Sequence, residues 1–404
     1  MRVARSSPQK VSSRGLLLFG APLGLLGGFL YWQLLTRSAG LAPDLREGSN
    51  DLGIYRHAGE AILRGEIPYR DFFLEYPPGS LLAFVPPAVL SSSKAGYIDL
   101  FSSEMALVLV VTLVLTALAA RRLGVTWMLP AATLAAGAIM LYPVAVTRYD
   151  AVVALSLATA ALCASFGRRY LAYAALGLGT AAKLVPALAT VPLAASRRTA
   201  ARGYAVFFGI LAVFLVPALL LGGEAFAESF AYHADRGVQV ESVSSSVLMQ
   251  LGWVSGVVFE YGAFEVQGPG AELAGDLSLP VTGILLLITA FFAYRRGGFR
   301  AFPRYAAALI LAFMLGSKVL SPQYVVWLLP LVPLSAAGTP RLAVSAVFLA
   351  ACYLTTQVFP THYDDLLSLR SPGPELLLAR NLLLVLLWGL LLLLPDGAPE
   401  KRPA

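Results

Sequence analysis

The chain has 404 residues, 58% apolar and only 13% charged, against about 25% charged in an ordinary globular domain. With a mean hydropathy of +0.73, the composition excludes a soluble protein. Its apolar runs are continuous rather than alternating, which excludes a β-barrel and leaves an all-α polytopic membrane protein. The net charge of +7 does not mark a nucleic-acid partner. The basic residues come as doublets at segment ends, Arg121–Arg122, Arg168–Arg169, Arg197–Arg198 and Arg295–Arg296, where they set membrane topology. Cys163 and Cys352 lie in apolar segments and read as packing residues, not as a disulfide or metal pair.

The first predicted span is residues 15–36, behind an N-terminus carrying Arg2, Arg5, Lys10 and Arg14. Its apolar run exceeds the roughly 7–15 residues of a signal-peptide core, so it reads as a retained helix. A polar loop follows at 37–102. Within it, Ile54, Ala58, Ala61 and Ile62 have helical spacing, which predicts an amphipathic helix lying on the membrane surface.

Further spans are expected near 103–120, 125–147, 151–167, 204–222, 279–294, 305–319, 322–337, 341–358 and 375–395, each close to the ~20 apolar residues of a crossing. Segment 170–195 contains Gly177, Gly179, Lys183, Pro186 and Pro192. As one span it would put Arg197, Arg198 and Arg202 outside, so it is read as a hairpin of two short helices with Lys183 near the outer end. The expected architecture is one membrane domain over 1–404 with about 10–12 helices. Helices fill 103–222 and 279–395, and a second large outer loop covers 223–278. Both termini would be cytoplasmic. On this topology all 23 acidic residues except Asp396 and Glu400 fall outside, and 18 of the 30 basic residues fall inside.

Candidate chemistry gathers on the outer side. Asp51 stands just before the surface helix, as N-cap or as functional carboxylate. Glu75, before Tyr76–Pro77–Pro78, is a second candidate, and Asp71 reads as a loop-stabilising residue. Arg148, Lys183 and Lys318 are cations embedded in apolar sequence, which are costly unless paired or functional, with snorkelling to the interface as the alternative. His57, His233 and His362 are isolated and read as surface or packing residues, with His362, beside Asp364 and Asp365, the one placed to touch a site.

The first loop, with Asp51–Leu52–x–x–Tyr55, then Leu63–x–Gly65 to Tyr69–x–Asp71, then Tyr76–Pro77–Pro78, resembles that of GT-C glycosyltransferases, membrane enzymes that use polyprenyl-phosphate sugars. Four later motifs are similar to glycosyltransferase family 87. They are Arg148–Tyr149–Asp150, Gly179 to Pro186, Arg236–Gly237–Val238–Gln239–Val240–Glu241–Ser242, and Lys318 to Tyr324. Together they cover about residues 45–335 in order; the final two helices match nothing specific. The resemblance implies a GT-C-type fold with an extracytoplasmic site in the cell membrane. It implies inverting transfer of a sugar, mannose by family expectation, to a glycolipid, glycan or protein acceptor. It makes Asp51 the catalytic base and Arg148, Lys183 and Lys318 the donor-phosphate cations. Tyr55, Glu75, Tyr76, Asp150, Arg236, Gln239, Glu241, Gln323, Tyr324 and His362 are the substrate-binding candidates. The leaving phosphate needs cations rather than a general acid. No Asp–x–Asp pair is present, so neither a metal nor another cofactor is expected. A transporter is the competing reading, but the chain shows no duplicated halves. An O-antigen ligase or polymerase-like protein would carry its main outer loop late rather than early.

Overall fold

The computed structural model describes Gly27 and residues 50–194, 197–234, 236–336 and 339–394. The expected first span, Gly27 apart, lies outside the described residues, as do residues 37–49, both termini and the His233 side chain.

The polar loop after the first span is itself folded. Helix α1 (Asn50–Leu63) buries Leu52, Tyr55, Ala58 and Ala61, three residues apart and therefore on one face. That face packs on helix α2 (Leu81–Leu90). Tyr55 stacks on Phe84 with ring centroids 4.3 Å apart. Gly59 permits the approach, because a Cβ there would run into the Phe84 carbonyl. The expected surface stripe of Ile54, Ala58, Ala61 and Ile62 is thus rotated: Ile54 and Ile62 are only half-buried, and the helix docks on protein.

Among the described residues, five helices are long and apolar enough to cross a membrane. Helix α3 (Lys94–Leu123) begins before the expected 103. The others run over Ala200–Ser229, Ala271–Arg296 (α9), Pro340–Thr361 (α11) and Gly373–Leu393 (α12). The first of these, Ala200–Ser229, lies within α7 (Arg197–Ala234), which kinks at Gly223 and carries helix into the expected second outer loop. The remaining apolar helices are shorter: α4 (Met128–Met140), α5 (Asp150–Ser165), α6 (Arg169–Ala182) and α10 (Phe302–Gly316). Sixteen residues of α5 reach only about 24 Å at 1.5 Å per residue, short of a ~30 Å hydrocarbon core. Residues 322–337, expected as a span, fold instead into 3-10 turns at Pro322–Leu328 and Val332–Leu334. Irregular backbone at that depth is tolerated because it is buried in protein; Val325 to Leu329 are fully enclosed.

The expected hairpin at 170–195 is present. α6 ends at Lys183, which is extended (φ −157°, ψ 133°), and a 3-10 turn at Val185–Thr190 leads back. Gly179 lets α6 lie against α5, since a Cβ would strike the Ser156 side chain.

The segment expected as the second outer loop departs most from expectation. It contains helix α8 (Val243–Gln250) and a hairpin of β1 (Gly256–Glu260) and β2 (Ala263–Gln267). Tyr261 and Gly262 take the positive φ values of its turn, the requirement of a two-residue hairpin connection. Residues 238–240 join β2 as a third rung, with Val240 N–H to Phe264 C=O at 2.8 Å and Val266 N–H to Val238 C=O at 2.9 Å.

Polar contacts separate into two ends. At one, Arg122 covers the Phe166 ring at 4.1 Å, Arg169 covers Phe299 at 4.4 Å, and Arg304 donates to the Leu391 carbonyl at 2.5 Å. At the other lie the carboxylates and cations of the family-like motifs. Between the short helices, fully buried Asp150 accepts from Lys183 Nζ at 2.7 Å and Trp327 Nε1 at 2.6 Å through the same Oδ1, tying α5, α6 and the 322–328 turn. Removing one partner of a buried ion pair costs about 3–5 kcal/mol, because the other is left uncompensated. Lys183→Met should therefore lower the thermal stability of the detergent-solubilised protein. Lys183→Met combined with Asp150→Asn should restore most of it. A single variant as stable as wild type would contradict this role for the pair.

Candidate active site

The short helices direct their polar ends to one cavity of about 800 Å³. The start of α5 brings Arg148 and Tyr149, the end of α6 brings Lys183, and the end of α10 brings Ser317 and Lys318. α1 contributes Asp51 and Tyr55, and the first loop adds Glu75 and Tyr76. The 236–267 segment supplies Arg236, Gln239, Glu241 and the hairpin residues Phe259 and Phe264.

Four cations line this wall, Arg148, Lys183, Arg236 and Lys318, against three carboxylates, Asp51, Glu75 and Glu241. Asp51 lies inside the first turn of α1 rather than at its cap. Its Oδ2 is 2.6 Å from Arg148 Nε, and its side chain keeps 28% exposure toward the cavity while Arg148 keeps 11%. The sequence reading assigned Arg148 to a phosphate, but here the guanidinium holds Asp51. Lys183 is paired with Asp150 and faces the rings of Tyr149, Trp327 and Tyr324 at 4.8, 5.3 and 5.4 Å. Asp150 is the floor beneath it and does not itself line the cavity. Arg236 Nη2 approaches Glu75 Oε2 at 3.3 Å.

Gln239 lines the cavity, as the expected substrate contact would, and also braces it. Its backbone N–H donates to the Lys318 carbonyl at 2.9 Å, its Nε2 to Ser321 Oγ at 3.1 Å, and its Oε1 accepts from Leu320 N–H at 2.8 Å. One side chain thus fixes the Lys318–Ser321 turn to the 236–267 segment. Glu265, across from Gln239 in the sheet, is pushed up by burial, against the pull of the Gly237 N–H, Arg236 and Lys318.

Glu241 lines the cavity and is pushed up to about 7 by burial, offset in part by Arg380. Burial likewise drives the phenols of Tyr55 and Tyr76 well up, with Asp51 adding to both, so both remain hydroxyls. Tyr324 stacks on Trp327 at 4.1 Å, and Gln323 lies beside it on the wall. Asp71 is a loop brace as expected: it accepts from Ile67 N–H at 2.8 Å, and the Arg70 guanidinium holds its carboxyl down at about 2.

His362 does not join the site. Its Nδ1 pairs with Asp365 at 2.9 Å, and its neighbours Phe359 and Tyr363 line the cavity instead. His57 is exposed and meets Phe72 edge-on at 6.0 Å. Sequence reasoning missed Tyr149, Trp327, Tyr363 and the hairpin, all of which line the wall. It also missed Arg380, buried behind Glu241. An arginine and an asparagine within a leucine-rich helix were the available signal.

No curated protein matches the chain. Among solved structures, the crystal structure of ArnT from Cupriavidus metallidurans in the apo state resembles it. The TM-score is 0.46 at 15% identity, covering 89% of this chain and 76% of that one. The sequence pattern of glycosyltransferase family 87 matches residues 73–322. That stretch is well over half the chain and contains the arginine, lysine and Gln239 motifs gathered around the cavity, so the protein belongs to glycosyltransferase family 87.

Proposed function

We propose that this membrane glycosyltransferase moves a sugar, with mannose the first candidate, from a polyprenyl-phosphate donor to an acceptor hydroxyl with inversion, on the extracytoplasmic side. The observation that carries this reading is a carboxylate, Asp51, open to a cavity whose wall also presents four cations. Membership of a glycosyltransferase family sets the transporter and ligase-like readings aside.

In the proposed reaction Asp51 accepts the acceptor's hydroxyl proton while that oxygen attacks the anomeric carbon. The bond from that carbon to the phosphate oxygen breaks, and its electrons remain on the polyprenyl phosphate. Arg148 orients the base. Lys318, Arg236 and Lys183 stabilise charge as it grows on the phosphate. A glycolipid, a glycan or a protein could each present the acceptor hydroxyl.

Asp51→Asn keeps size and removes the proton acceptor, so transfer from labelled polyprenyl-phosphate mannose should fall by about 10²–10⁴-fold, the usual contribution of a general base. Donor binding should stay near normal. Wild-type transfer by Asp51→Asn together with its abolition by Glu75→Gln would move the base to Glu75.

Sidedness has its own test. Arg64, exposed at the end of α1, can be replaced by cysteine in protein lacking Cys163 and Cys352. An impermeant thiol reagent should label Arg64→Cys in intact cells. Labelling only after permeabilisation would invert the proposed orientation.

A further inference from the structure

Between Glu241 and Glu260 the chain carries no charged residue, although this stretch connects α7 to α9. Its helix α8 is capped by Ser242, whose Oγ accepts from Ser245 N–H at 3.0 Å. Ser245, Ser246 and Leu248 are buried. Val247 and Leu251, one turn apart and so on one face, are 45% and 54% exposed, and Trp253 just beyond is 50% exposed. Neighbouring large apolar side chains on a helix too short to span are unfavourable in water and mark a surface that something covers.

Two spanning helices fix the depth of this face. At its far end α8 packs on α9, and a Cβ on Gly270, the residue before α9, would strike the Leu248 and Trp253 side chains. The first turns of α9 expose Glu272 and Asp276, which are costly inside hydrocarbon. Residues 277–294 then cover about 27 Å at 1.5 Å per residue, close to the ~30 Å of a hydrocarbon core. Residues 271–276 add about 9 Å, roughly the depth of the headgroup layer, so Trp253 meets α9 within that layer. At its near end α8 is held by α12. Arg380 donates to the Glu241 carbonyl at 2.9 Å, and Asn381 to the Ser242 carbonyl at 3.1 Å and Ser246 Oγ at 3.0 Å. These two residues lie about 8 Å along α12 from Glu375, the acidic residue of its first turn, which sets the start of α8 at the edge of the hydrocarbon. The helix therefore runs along the boundary between acyl chains and headgroups.

We propose that α8 and Trp253 form an interfacial anchor whose partner is the phospholipid surface. Val247 and Leu251 enter the acyl boundary, and the Trp253 indole lies among the headgroups. Interfacial helices bury their apolar face about 5–10 Å into that boundary, and an indole, apolar in its body and polar at its N–H, favours headgroup level. The anchor bears on the site. Residues 238–240 pair with β2, and Gln239 holds the Lys318 turn, so seating α8 on lipid fixes the height of that cavity wall over the bilayer.

The test uses full-length protein in nanodiscs whose phospholipid is brominated either near the headgroup end or near the methyl end of its acyl chains. The chain has five tryptophans, so the signal is the emission removed by Trp253→Phe. That component should lose most of its intensity with shallow bromines and little with deep ones, and aqueous iodide should quench it weakly. Leu251→Asp should reverse the pattern, because a carboxylate resists entry into the acyl boundary, and Leu251→Phe should preserve it. If Trp253→Phe does not fold, a bimane label on Leu251→Cys, in protein lacking Cys163 and Cys352, gives the same reading. Quenching by iodide alone would place this face in water. Resistance to bromine and iodide alike would mean that a second copy or another protein covers it. Either result would overturn the proposal.

Discussion

Asp150 is the constraint around which the site is organised. A carboxylate with no exposure, at the head of a helix deep in an apolar assembly, is stable only where charge and hydrogen bonds meet it. Lys183 and Trp327 both do so through one oxygen. They come from separate elements, so satisfying Asp150 fixes where α6 must break and where the 322–328 turn must lie. Around the same lysine, Tyr149 and Tyr324 present ring faces, the geometry of a cation–π pocket. The short helices stop where they do because their ends are claimed by this cluster, and the space left in front of it is the cavity.

Composition alone shows why a chain of this class can afford such irregularity. Helices that stop midway leave carbonyl and N–H groups with no lipid-compatible partner. Here those ends turn into protein: Lys183 caps α6 through its N–H to the Gly179 carbonyl at 2.9 Å, and the Lys318 carbonyl takes the Gln239 N–H. The segments between the membrane helices therefore do more than cover the site. The 236–242 strand-like stretch bonds to the hairpin on one side and to the Lys318 turn on the other, and it transmits the register of one to the other.

Much of this was legible from residue types. Arg148, Lys183 and Lys318 stood out because a cation in apolar sequence demands a reason, and all three line one cavity. Their partners were not legible, because each lies far along the chain: Lys183 is 33 residues from Asp150, and Trp327 is 177 from it. The tie between Arg148 and Asp51 was out of reach for the same reason, since nothing local in the sequence connects them. The hairpin is hard to see in the sequence because Tyr261–Gly262 is not one of the Asn–Gly or Asp–Gly pairs that mark such a turn, although Gly256–Glu260 and Ala263–Gln267 carry β-branched and aromatic residues. His362 failed differently. Asp365, three residues on, is its partner on one helical face, and local pairing took it out of the site.

The pairing pattern bears on how such a site could favour a reaction over mere binding. Four cations on the wall face three carboxylates, with Asp150 just behind Lys183, so the region is close to charge-balanced. A polyprenyl-phosphate sugar bears a single negative charge, and a second develops on the phosphate as the glycosidic bond breaks. Cations already shared with carboxylates attract the first charge weakly and still respond to the second. Interactions that strengthen only as the bond breaks lower the barrier, whereas uniform attraction would merely hold the donor in place. In the proposed reaction, therefore, the paired carboxylates are part of the catalytic design: they keep the cations soluble in an apolar setting and reserve their effect for the transition state.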